Sequence, residues 1–361
     1  MPLHMSILAA ALVLWAIFGK NDKKMKIAYF VLMTLIMAFV CGSREYYGTG
    51  DLPKYYGVFV HNGQGSYADL FSGDLKNIGF WVFCKICYDL FAGNFSVCLY
   101  IMALFSNIAL AVLIYRHSPK PHISYVMYIA FGFYFFTFSG LKQTMAMAFL
   151  MIALIAILEK RPRLFYAMAI LAGLFHQPAF IFLPAYFIAT RRLTKMYFIV
   201  LLAVAVIVIA FRGVIVEYLS DLYYDERDYT ASKLMGGKFI MMVLMLIAGF
   251  VLRRVDPKND PEFCRLFSIM IVAAMIQSFS VFGHNFTRLA DYYFQTIVIY
   301  CPFVLTPRED ISYADAGDRM TTAAAYRIAT IAVCVLAVIY YYSYIEGDIS
   351  GVLNLKFFWE V

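Results

Sequence analysis

SGLKQTMAMAFLMIALIAILEKRPRLFYAMAILAGLFHQPAFIFLPAYFIATRRLTK, residues 139–195, is the stretch that decides the fold. A polar start, Ser139-Gly-Leu-Lys-Gln143, leads into an apolar run that ends at Leu158 against the basic clamp Glu159-Lys-Arg-Pro-Arg163. A second apolar stretch runs on to Thr190 through Gly173-Leu-Phe-His-Gln-Pro-Ala-Phe180 and closes on a second clamp, Arg191-Arg-Leu-Thr-Lys195. Apolar runs bracketed by cations are the pattern of chain that crosses lipid and anchors at cytoplasmic headgroups. The hairpin 164–190 has arms shorter than the roughly 20 residues of a full span, so it reads as two short spans or a re-entrant pair. Its tip places one titratable ring, His176, between the two basic anchors.

The rest of the chain agrees with that reading. Of 361 residues 63% are hydrophobic and 15% charged, and the mean hydropathy is +0.73. A soluble domain carries about a quarter charged residues, so the class is all-α: a single polytopic integral membrane domain over 1–361. The net charge of +7 lies in short clusters between apolar runs rather than along one polar face, which excludes nucleic acid as a partner and leaves the bilayer. Leu3 to Phe18 has no basic region before it and reads as a retained first span. The seven cysteines fall almost entirely in apolar runs and read as small apolar residues, including Cys84 and Cys87, whose spacing lacks a matching second pair.

Runs long enough to cross about 30 Å at 1.5 Å per residue lie near 3–18, 26–42, 95–115, 123–139, 143–158, 196–211, 238–252, 266–282, 289–305 and 325–343. With the hairpin they predict about 10–12 transmembrane helices. The clusters around Lys23, Arg116, Lys160, Arg191, Arg253 and Arg308 are all cytoplasmic together if both termini face outward and 78–91 makes no extra crossing. The loops near 43–77, 212–238 and 283–288, the start of the span at Gly140–Gln143 and the tip at His176 then share the outer face.

That face collects the unusual chemistry. Lys142 and Arg288 are cations on the side that membrane proteins deplete of them, each beside polar neighbours: Gln143 in one case, His284, Asn285 and Thr287 in the other. Cations and amide donors pair well with phosphate oxygens. Arg288, Asp291 and Tyr292 lie within one helical turn at the mouth of a span. Arg44 and Asp51 flank a Gly48-Thr49-Gly50 turn rich in tyrosines. The ordinary alternatives are headgroup anchoring for the cations, a snorkelling ring for His176 and a solvated surface for the acidic stretch Asp221–Asp228. For His176, apolar surroundings favour function, because a polar group there is costly. His284 shares its face and is a rival for the same role. No phosphate loop, serine elbow or zinc motif appears, and the acidic stretch lacks ligand spacing, so no metal or cofactor is expected.

Four short motifs in order resemble the multi-spanning oligosaccharide repeat-unit polymerases of the Wzy/EpsG type. They are Arg44 through Asp51 to Tyr55 and Tyr56, Lys142-Gln143 before Ala146, Phe175-His176 with Ala179, and Arg288 followed by Tyr292-Tyr293-Phe294. Two positions depart from the family pattern: Lys142 stands where arginine is usual, and Asn77-Ile78 where a glutamate often precedes Gly79-Phe80. The resemblance implies a glycosyltransferase on the outer face of a bacterial cytoplasmic membrane, building O-antigen, capsule or exopolysaccharide. Undecaprenyl-diphosphate-linked oligosaccharides would be donor and acceptor, and a chain-length regulator a further partner. It implies catalytic roles for His176 and Arg288, and substrate contacts from Arg44, Asp51, Lys142, Gln143, His284 and Tyr292. The competing classes are a transporter or flippase of a lipid-linked or anionic glycan, which should place polar groups at mid-depth, and a membrane-bound acyltransferase, which needs a cytosolic acyl-donor site.

Overall fold

The structure, a computed structural model, describes residues 2–360 apart from 20–22, 48–49, 73–74, 224–232, 254, 308–315 and 348–354; side chains of 2, 4, 219–223, 233–235, 284 and 316–322 also lie outside the description. Among the described residues every regular element is a helix, and the one β contact is an isolated bridge between Arg44 and Phe357. In chain order α1 is Pro2–Phe18, α2 Lys23–Gly42, α3 Leu52–Gln64, α4 Tyr67–Ser72, α5 Ile78–Leu90 and α6 Phe95–His117. Then come α7 Pro121–Ala130, α8 Phe133–Phe136, α9 Leu141–Leu158, α10 Pro162–Phe175, a 3-10 turn over Gln177–Phe182, and α11 Ala185–Thr190. The remainder is α12 Lys195–Ala210, α13 Arg212–Tyr223, α14 Lys233–Ala248, α15 Pro261–Gln277, α16 His284–Phe294, α17 Ile297–Val304 and α18 Ala316–Glu346.

Among the described residues six helices are long and apolar enough to cross a membrane: Lys23–Gly42, Phe95–His117, Leu141–Leu158, Gly236–Arg253, Pro261–Phe282 and Ala323–Glu346. A seventh forms if Lys195–Ala210 and Arg212–Tyr218, bent by 64°, count as one span. In Leu141–Leu158, 83% of the span is buried, against 33% in Ala323–Glu346, so α9 is an axis of the bundle and α18 part of its wall. Ile328, Ile331, Val335 and Ile339 of α18 stay exposed, which an apolar solvent tolerates and water does not.

Two stretches expected as continuous spans are interrupted. The one near 123–139 breaks between α7 and α8 at Gly132, whose φ of +79° suits glycine; a Cβ there would also meet the Tyr344 ring at 2.4 Å. The one near 289–305 breaks between α16 and α17 at Gln295 and Thr296, both buried. There the Gln295 amide donates to the Tyr292 carbonyl at 3.1 Å, replacing helical pairing that the break removes. Interrupted backbone inside a membrane protein persists only where protein groups satisfy it. The hairpin is likewise uneven, with a 14-residue helix outward and a return through 3-10 geometry and a short α11. The return retraces α10, with Phe182 and Tyr186 packed on Phe165 at 6.0 and 5.2 Å.

Polar contacts define two ends of the bundle. At one, Arg116 pairs with Glu159 at 2.7 Å, His117 meets Glu262 at 2.8 Å, and Arg265 donates to the Leu158 carbonyl at 2.9 Å. Arg253 joins that end through Asp260 and the Thr306 carbonyl, both at 2.6 Å. Arg116, Arg253 and Arg265, from three of the basic clusters, thus gather at one end. The opposite end holds the N-terminus of α9, the tip of the hairpin and the start of α16.

Candidate functional site

The tip is built so that His176 cannot continue its helix. Pro178 lacks the donor that helix propagation needs, and His176 itself is extended at φ −147° and ψ 104°. Its backbone N–H still closes the last turn on Ala172 at 2.8 Å, while Ala179 N–H donates to the His176 carbonyl at 2.8 Å. Asn77 steadies the tip from outside, its side-chain oxygen accepting from the Gln177 N–H at 2.9 Å. Beneath, Phe175 packs on Phe149 at 4.9 Å and Phe83 at 6.0 Å. α5 approaches so closely that a Cβ on Gly79 would lie 3.1 Å from both Leu174 and Phe175. The ring that results is half-buried, and its Nδ1 is hydrogen-bonded to the hydroxyl of the buried Tyr292.

Two cations converge on this ring. Lys142 reaches out from the first turn of α9 with its Nζ over Trp81 at 5.1 Å and over Tyr55 at 5.6 Å. Arg288 lies over the Phe136 ring at 5.8 Å, and its buried Nε has no hydrogen-bond partner among the described residues. Gln143 ties α9 to α16 by donating to the Arg288 carbonyl at 3.0 Å, and its own buried carbonyl oxygen has no hydrogen-bond partner among the described residues. Neither Lys142 nor Arg288 makes an ion pair among the described residues. α9 also begins without a side-chain cap, so its positive end faces the same region. Burial first, then the charges of Lys142 and Arg288, push His176 down to about 4 from its ordinary value near 6.5. A neutral imidazole beside two cations that form no ion pair among the described residues can take a proton from a hydroxyl while the cations receive an oxyanion.

Of the eight residues singled out in the sequence, His176, Lys142, Gln143, Arg288 and Tyr292 meet at this one place. Asp51 stands at the rim, exposed at the start of α3, 3.5 Å from Lys54 and close enough for its charge to act on Tyr55. Arg44 is elsewhere: it is 2% exposed and donates to the carbonyls of Phe138 at 2.9 Å, Thr137 at 3.4 Å, and Cys41. It therefore joins the end of α2 to the α8–α9 turn. His284 begins α16, but its side chain lies outside the described residues, as does most of Asp221–Asp228. Asp291 does not turn to Arg288; it forms a buried ion pair with Lys238 of α14, flanked by Phe133 and Phe294. Sequence reasoning missed Trp81, Phe136 and Lys238, and met Asn77 only as a departure from the family pattern. Lys238 alone carried a signal, being a lysine at the head of an apolar run with a carboxylate in another.

A sequence model of the EpsG family matches residues 27–357. Among curated proteins and solved structures, none matches the chain.

Proposed function

Since the chain belongs to the EpsG family, we propose that it is a membrane glycosyltransferase that polymerises lipid-diphosphate-linked oligosaccharide repeat units. The observation that carries the proposal is the meeting of a neutral His176 with Lys142 and Arg288, neither of which has an ion-pair partner among the described residues. A hydroxyl of the acceptor glycan attacks the anomeric carbon of the donor, the bond from that carbon to the diphosphate oxygen breaks, and the hydroxyl proton passes to His176. For Nε2 to accept it, Nδ1 must carry the other proton and donate to the Tyr292 oxygen. Arg288 presents a planar fork and Lys142 a point charge to the diphosphate that departs. Gln143 and Tyr292 position the two reacting groups from α9 and α16, and Asp51 and His284 are proposed to contact the glycan or diphosphate as it enters.

Charge pattern supports the outer face of the membrane as the working side, and membership of the EpsG family supports a bacterial cytoplasmic membrane, an undecaprenyl carrier, an O-antigen, capsule or exopolysaccharide product and a chain-length regulator as partner. The transport reading is less favoured. Its substrate groups should sit at mid-depth and be reachable from both sides, whereas these five residues gather at one end of the bundle. Deleting the protein tests the proposal: cells should accumulate single lipid-linked repeat units on the outer leaflet and lose the polymer. Accumulation confined to the inner leaflet would identify a flippase.

A further inference from the structure

Resting on the polymerase reading, we propose that a groove between α3, α4 and α5 binds the glycan portion of the substrate beside the reacting centre. The groove encloses about 640 Å³ and is lined by His61, Asn62, Gln64, Ser66, Asp69 and Trp81 among others. That volume lies within the roughly 300–1,000 Å³ of built ligand sites. It exceeds the room one sugar ring needs.

The lining fits a polyol. Asn62 and Gln64 each offer an acceptor and two donors, His61 one of each when neutral, Asp69 a carboxylate and Ser66 a hydroxyl. Trp81 adds a broad apolar ring on which a sugar face can lie. Among the described residues no lysine or arginine lines the groove, so it does not duplicate the cationic site for the diphosphate. Continuity comes through Trp81, which lines the groove and whose ring lies 5.1 Å from the Lys142 ammonium. A glycan lying along the groove would therefore end at the cations with its diphosphate.

The walls are fixed in advance. Ser66 and Asp69 bond reciprocally at the start of α4, by Ser66 N–H to the carboxylate at 2.6 Å and Asp69 N–H to the hydroxyl at 3.2 Å. These bonds hold the Asp69 carboxyl below its usual range. Under the groove the buried Lys85 donates to the Gly63 carbonyl at 2.9 Å and to Asp89 at 2.7 Å, and Tyr67 donates to the other Asp89 oxygen at 3.0 Å. α3 and α5 touch so tightly there that a Cβ on Gly63 would lie 2.2 Å from the Tyr88 ring. A site held this way loses little freedom on binding.

The test uses the full chain in lipid nanodiscs and, as probe, oligosaccharides of one and four repeat units released from the organism's own polysaccharide, with neither lipid nor diphosphate. Calorimetric titration should show binding to the wild type. His61→Ala and Asn62→Ala, at exposed and half-exposed positions that leave the fold intact, should weaken it at least about tenfold and raise KM with kcat little changed. Arg288→Ala should bind the free glycan as the wild type does. Tighter binding of the longer probe assigns the groove to the growing chain, equal binding to the single unit. Absence of binding to the wild type, or wild-type affinity in both groove variants, overturns the proposal. Weakened binding in those variants with no polymer formed by the wild type would leave the groove standing and overturn the polymerase reading instead.

Discussion

The depressed basicity of His176 makes a quantitative statement about pH. An ordinary histidine at pH 5.5 is about one-tenth neutral, whereas one titrating near 4 is almost wholly neutral there. A base that must be neutral to act is therefore kept in its active form as pH falls through 6.5, and is lost only as pH approaches 4. The acid limb of kcat/KM should lie well below pH 6.5. Replacing Lys142 with glutamine removes one of the two cations that disfavour imidazolium, so the limb should move upward, toward the ordinary value. The same shift has a stability consequence with a definite sign. Between pH 6.5 and 4 the unfolded chain binds a proton at His176 that the folded chain refuses, so stability falls as pH falls through that window, by about 3 kcal/mol at most. Above pH 6.5 this contribution is flat. The assay is initial-rate polymer formation by the purified protein in nanodiscs on lipid-linked repeat units, from pH 4.5 to 8. An acid limb at 6.5 or above that Lys142→Gln does not move would refute the reasoning.

Further outcomes follow from other contacts. Arg288→Ala should abolish polymer formation at normal protein level and Arg288→Lys should retain part of it, since lysine lacks the two-donor fork; normal polymer from the alanine variant, read by gel of the extracted polysaccharide, would reduce Arg288 to an anchor. Arg44→Ala leaves three carbonyls without their donor and should cost about 3 kcal/mol or more, seen as loss of folded protein by thermal shift rather than as a changed KM. Lys238→Met strands a buried Asp291 and should destabilise by about 3–5 kcal/mol, while Lys238→Met with Asp291→Leu should recover most of that, again by thermal shift.

Much of this was legible in the sequence for physical reasons. Lipid permits only satisfied backbone, so apolar runs bracketed by cations at Lys160 and Arg191 had to be helices, and the clusters at Arg116 and Arg253 meet at one end as their charge suggests. The convergence of Lys142, Gln143, His176, Arg288 and Tyr292 was readable because each is a costly polar group at the mouth of an apolar run. The breaks at Gly132 and Thr296 were hidden, because an interrupted span and a straight one share the same composition. Arg44 was misleading for a related reason: a charged side chain near the membrane surface looks the same in sequence whether it faces a ligand or ties carbonyls together. Trp81 and Phe136 gave no signal, since aromatic residues fill both interfaces of such proteins and only three-dimensional packing selects the pair that flanks the cations.

The central claim is that His176 takes the proton, and a single substitution addresses it. Glutamine at position 176 can keep a hydrogen bond to Tyr292 but cannot accept a proton at neutral pH. In nanodiscs with purified lipid-linked repeat units, His176→Gln should lose about 10²–10⁴-fold in rate with the protein folded, and His284→Gln should retain polymer formation. Wild-type turnover in His176→Gln, or loss in His284→Gln alone, would contradict the assignment.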